Sequence, residues 1–179
     1  AGRFKPGVKT INLAKGGASS KSFRDAGFWK PMFDIKPDYV FIQFGHNDMP
    51  TKGPKRATDA ATTYRENLER YIAEARAVGA QPILLSPVTR RLYENGKIAS
   101  LLNGYAEGAR AVAAKTKTPL IDLHASSVAL HNQLGATESA SFGPKGDKTH
   151  FNKQGAERIT GLILGELEDA VPALAAQLR

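Results

Sequence analysis

The chain contains no cysteine. Disulfides and thiolate metal sites are therefore excluded, and the redox setting is left open. No apolar run approaches the ~18 residues of a membrane span. No dense run of lysine and arginine with interleaved aromatics appears, which argues against dedicated nucleic-acid binding. Internal repeats, low-complexity tracts and interdomain linkers are also missing. No signal peptide is visible, but the chain starts at Ala1 rather than at a methionine, so this says little about export.

What is present fits one ordinary globular domain over residues 1–179, long enough for a real core. Lysine and arginine number 25 against 17 acidic residues, a formal charge of +8. A basic surface suits an anionic partner, or it serves only solubility.

Strand and helix signals alternate along the chain. Val8–Ala14 reads as a short strand ending at Gly16-Gly17. Residues 22–35 read as an irregular helix interrupted by Pro31. Residues 38–44, Asp-Tyr-Val-Phe-Ile-Gln-Phe, are nearly continuously apolar, the pattern of a strand buried on both faces. Residues 58–78 carry apolar positions at helical spacing, with Thr58 as a cap, Asp59 at the positive end and Gly79 as the stop. Pro82–Leu85 and Leu120–Leu123 read as strands. Leu101 to Val112 marks a helix between them, and Asn152 caps a last helix. This alternation predicts an α/β fold with a parallel sheet covered on both faces, whose ligands bind at the carboxyl ends of the strands.

Three stretches at those ends carry chemistry. Asp147 stands three residues before His150, where a carboxylate can fix an imidazole as a general base. Gly17 can bring a backbone N–H close to a ligand. Asn47, after the turn at Gly45, can offer amide hydrogens to a developing oxyanion. Each also has a plain structural reading, as a loop, turn or cap residue. Together they would put a base, its orienting acid and two oxyanion donors on one face.

Gly17, the Gly45-His46-Asn47-Asp48 block and Asp147-x-x-His150 resemble the second, third and fifth blocks of the SGNH (GDSL) hydrolases. The stretches at 12–23, 41–48, 82–88 and 147–155 resemble the rhamnogalacturonan acetylesterase group. The resemblance implies a three-layer α/β/α fold of flavodoxin-like order and ester hydrolysis without a metal or other cofactor. It implies His150 as base, Asp147 as its orienting acid, and Gly17 and Asn47 as the oxyanion hole. It implies as partner an acetylated polysaccharide or oligosaccharide, with a secreted or periplasmic setting.

The family nucleophile lies in a Gly-Asp-Ser block that this sequence does not contain. Ser19, Ser20 and Ser22 are read as helix caps. In a 2-1-3-4-5 sheet the strand bearing that block is central. The expectation is therefore a fold without its first, central strand, a fragment missing at least about 20 upstream residues, and inactive as it stands. Lys15, Lys21, Lys52, Lys55, Arg56, Arg90, Arg91, Lys145 and Lys148 are expected around the catalytic face, where they would favour an acidic glycan. Three other readings stay open: an SGNH esterase or lipase acting on another ester, a non-catalytic carbohydrate-binding domain, and a metal hydrolase built on His46, Asp48, Asp147 and His150. The polar loop from Thr89 to Ile98 speaks against a lipid lid. The His and Asp spacings match no strong metal signature.

Overall fold

The computed structural model describes residues 2–179. Its strands are β1 (Tyr39–Gln43), β2 (Gln81–Leu85), β3 (Tyr93–Glu94), β4 (Lys97–Ile98) and β5 (Leu120–Ile121). Its helices are α1 (Ser20–Asp25), α2 (Pro31–Ile35), α3 (Thr63–Ala77), α4 (Asn103–Thr116), α5 (Leu123–Ala140), α6 (Lys153–Ala170) and α7 (Pro172–Ala175). Strands β1, β2 and β5 form a parallel sheet in that order, and β3 pairs antiparallel with β4. Tyr39 of β1 faces Gln81 of β2, and Leu85 faces Ile121 of β5.

The central strand shows why the chain forms three layers. Leu84 joins a core with α1 to α4, while its neighbours Ile83 and Leu85 join another with α5 to α7. An all-apolar strand is stable only when both faces are covered, and here they are. Helix α3 supplies the heaviest stripe: Tyr64, Leu68, Tyr71, Ile72 and Ala75 are at most 1% exposed. Burying a large apolar side chain is worth about 1.5–3 kcal/mol, so this stripe is a main anchor of the sheet.

Several expectations need correction. Val8–Ala14 is not a strand, because among the described residues no strand pairs with it; the Ala14 N–H turns to the Asn12 side chain instead. Strand β1 is not buried on both faces. Ile42 is 2% exposed but Phe41 is 43% exposed, because the α5–α7 layer leaves Phe41 uncovered. The long helix starts at Thr63, not at Thr58. Thr58 is held in the preceding loop by Asp48, through both its hydroxyl and its N–H. Asp59 accepts from the N–H groups of Ala61 and Thr62, turning the chain before the helix begins.

Helix α5 was not legible in the sequence. Its buried positions include His124, Ser127, His131 and Ser139. The spacing is helical as far as Gly135, where φ 73° and ψ 173° kink the helix, but the residues are polar, so no apolar stripe marks it. Among the described residues, no helix is long and apolar enough to cross a membrane.

Candidate active site

Two loops meet through a buried carboxylate. Asp48 is fully buried after β1 and accepts from the Gly45 N–H, the Ser20 N–H and hydroxyl, and the Thr58 hydroxyl. Burial pushes its carboxyl up, against these hydrogen bonds, which favour the anion. Both oxygens are thus engaged, and Asp48 is a structural pin rather than a metal ligand. Among the described residues, no group of three His, Cys, Asp or Glu is placed to hold a metal ion.

The pin fixes where Asn47 points. Its Nδ2 donates to the Ala18 carbonyl at 3.3 Å, which seats it beside the Gly17 turn. Gly45 has φ 134°, and a Cβ there would lie 2.9 Å from Pro87 Cβ. A side chain at 45 would therefore force the loop off β2's end and move Asn47. In front of Gly17 the space is open: the nearest atom to a hypothetical Cβ is an Arg56 nitrogen at 4.0 Å.

The three serines near this turn are committed elsewhere. Ser19 caps α1 and exchanges hydrogen bonds with Ser22 in a capping box. Ser20 is buried on Asp48. The Ser19 and Ser22 contacts agree with the capping role read from the sequence, whereas Ser20 is no cap: it is the first helical residue and is held by Asp48.

Asp147 and His150 meet as the spacing suggests. His150 Nδ1 lies 2.7 Å from Asp147 Oδ2, while Asp147 Oδ1 accepts from the N–H groups of Thr149 and His150. Those N–H groups, then the imidazole, hold the Asp147 carboxyl well below the usual carboxylate range. A carboxylate can only accept, so Nδ1 bears the proton and Nε2 is left basic. The His150 side chain is 79% exposed.

Arg91 was expected as a surface charge on this face. It is 2% exposed and cannot steer a ligand. Its guanidinium donates to the carbonyls of Asp147 and His150 at 2.8 and 2.7 Å and lies over the Phe151 ring. Its backbone N–H donates to the Lys148 carbonyl. Arg91 thus straps down the loop that carries the dyad. Gly143 makes room for it, since a Cβ there would land on the guanidinium and on the His150 carbonyl. No sequence signal separates this arginine from Arg90 beside it.

Arg90 and His46 connect the dyad side to the Asn47 side. Arg90 approaches the His46 carbonyl at 3.5 Å. Burial, then the charges of Arg90, His124, His150 and Lys52, lower the His46 pKa to about 4, so its ring is neutral at pH 7. Elsewhere on the strand ends, Ser100 Oγ lies 2.6 Å from His124 Nε2, and His124 Nδ1 faces the Pro87 carbonyl. That contact ties the β4–α4 loop to the head of α5.

Comparison with known proteins completes the description. Residues 1–158 match the GDSL-like Lipase/Acylhydrolase family. The chain is 38% identical over 162 residues to the probable rhamnogalacturonan acetylesterase YesY of Bacillus subtilis (strain 168), covering 87% of this chain and 75% of that protein. It is 34% identical over 182 residues to the rhamnogalacturonan acetylesterase RhgT of the same organism, covering 93% of this chain and 77% of that one. The solved structure of YxiM from Bacillus subtilis superposes with a TM-score of 0.80 at 29% identity, over 93% of this chain and 47% of that one. The chain therefore spans about half the length of YxiM and about three quarters of the two acetylesterases.

Proposed function

The chain belongs to the GDSL-like lipase/acylhydrolase family of ester hydrolases, and from that premise we propose a carbohydrate O-acetylesterase acting on rhamnogalacturonan or a similar acetylated polysaccharide. YesY and RhgT, both named for that activity, support the substrate. The observation that carries the reading is the Asp147–His150 contact, held by Arg91, together with an Asn47 amide that donates to the Ala18 carbonyl next to Gly17.

The chemistry follows from those positions. His150 Nε2 takes the proton of a serine hydroxyl while the serine oxygen bonds to the acetyl carbon. The Gly17 N–H and the Asn47 amide hold the oxyanion that forms. Asp147 stabilises the imidazolium, which then gives its proton to the departing sugar hydroxyl. Water, deprotonated by the same imidazole, releases acetate from the serine.

No serine described above faces His150, and the reading places the nucleophile on a strand lying along the open edge of β1. There its carboxyl end would come between Gly17 and Asn47. The β3–β4 hairpin is polar, with Asn95-Gly96 at its turn, which favours a glycan over a lipid ester.

The test extends the amino end with a Gly-Asp-Ser strand and assays acetate release from acetylated rhamnogalacturonan oligosaccharides. The extended chain should be active, and His150→Ala should abolish the activity. Activity that survives His150→Ala would remove His150 from the mechanism. Preference for long-chain acyl esters over acetylated oligosaccharides would replace the glycan with a lipid.

A further inference from the structure

Among the described residues, a serine hydroxyl meets an imidazole ring twice. His131 meets Ser139, and both are fully buried, so no solute reaches that pair. The other contact joins Ser100 to His124. Here the imidazole is buried but the serine is exposed. A ring shielded from water thus holds a hydroxyl that solutes can reach.

The second ring nitrogen places the proton. His124 Nδ1 lies 3.0 Å from the Pro87 carbonyl, which can only accept, so Nδ1 donates and bears the proton. Nε2 is then the acceptor, and the Ser100 hydroxyl donates to it across 2.6 Å. A hydroxyl whose proton already points at a neutral imidazole has the geometry of an activated nucleophile. The Pro87 carbonyl takes the orienting place that a carboxylate fills in a triad. Burial lowers the His124 pKa, which favours the neutral ring.

The surroundings hold this pair in place. The His124 backbone N–H donates to Ser86 Oγ at 2.8 Å, and Ser86 donates to Asp122, which caps α5 and pairs with Arg110. A Cβ on Gly45 would touch Pro87, so the pair adjoins the turn that carries Asn47. The Ser100 N–H finds no backbone acceptor among the described residues, which leaves it available to an oxyanion formed at its own hydroxyl. Leu101, next in the chain, is 52% exposed and offers an aromatic ring an apolar footing.

We propose that Ser100 is a nucleophile in its own right, activated by His124, and that it takes up a short acyl group from aryl esters. Ser100 Oγ bonds to the acyl carbon while its proton passes to His124 Nε2. The bond from that carbon to the aryl oxygen breaks, and the imidazolium gives the proton to the departing oxygen. The products are acyl-Ser100 and a phenol. Water reaches the buried ring poorly, so acyl-Ser100 is hydrolysed slowly and accumulates.

The experiment uses the chain as it stands, without an added strand, so its outcome leaves the acetylesterase reading untouched. The chain is incubated with p-nitrophenyl acetate at neutral pH, digested, and mapped by peptide mass spectrometry. Ser141 is the internal reference: it too is exposed, but its hydroxyl donates to the Glu138 carbonyl rather than to a ring. Acetyl should appear on Ser100 roughly tenfold faster than on Ser141, or more. His124→Gln should bring Ser100 down to the level of Ser141.

Equal acetylation of Ser100 and Ser141 in the unaltered chain overturns the proposal, and that comparison needs no variant. Fast acetylation of Ser100 that survives His124→Gln, in a variant whose thermal transition is unchanged, removes His124 as the base and overturns it as well.

Discussion

At the scale of single residues, the dyad depends on one oxygen of Asp147 facing the ring and the other facing two backbone N–H groups. Asp147→Asn replaces that charged acceptor with an amide that also donates. In the strand-extended chain it should cut acetate release by roughly 10³–10⁴. The same change should speed amide exchange at Thr149 and His150, and unchanged exchange would deny the carboxylate its anchoring role. Two other histidines govern acid stability. His46 and buried His131 are each lowered to about 4, chiefly by desolvation. Folded, they stay neutral where the unfolded chain would take up protons. Their contribution is therefore full above about pH 6.5 and is lost as pH falls towards 4. A shift of this size corresponds to roughly 3 kcal/mol per histidine. Asp147 has a depressed carboxyl, so its contribution is lost only at lower pH, below the ordinary carboxylate range. The urea midpoint should drop clearly between pH 7 and pH 5, and a flat profile would contradict the desolvation of both rings.

At the scale of elements, Arg91 straps the loop between α5 and α6, alongside Asn152, whose amide donates to the Ser141 carbonyl. Arg91 donates to two of its carbonyls and stacks on Phe151. Hydrogen bonds from a charged donor are worth about 1.5–3 kcal/mol each. Arg91→Ala should therefore cost a few kcal/mol and raise amide exchange across residues 143–151. The loss in acetate release by the extended chain should exceed what the loss of folded protein explains. Gly143→Ala should produce the same local loosening by driving the guanidinium aside. If residues 147–151 exchange no faster in either variant, the strap is not what positions His150. The sequence could not show this, because Arg90 and Arg91 are adjacent and chemically alike. Only the fold leaves one half-buried against His46 and Met49 and puts the other beneath the loop.

At the scale of the whole molecule, among the described residues the sheet ends at β1 with its outer edge unpaired, and Phe41 on that strand is exposed. Unpaired edges with apolar side chains recruit other strands. The chain should self-associate at high concentration, and Phe41→Lys should reduce that association, read by light scattering, while leaving the thermal transition in place. Equal scattering by the two proteins would mean that this edge is not the sticky surface.

The sequence by itself determined the layered α/β class, the two crossover helices, the Asn152 cap and the Asp147–His150 pair. Each of these is written in local spacing: apolar period, cap chemistry, or two residues three apart in one turn. It could not decide whether Val8–Ala14 would be a strand, since a strand exists only with a partner. Nor could it show α5, whose buried face is made of histidine and serine, or the pinning of Ser20, Gly45 and Thr58 by Asp48. Tertiary structure alone decided that Arg91 is a strap, because burial and the company of distant carbonyls set what a guanidinium can do.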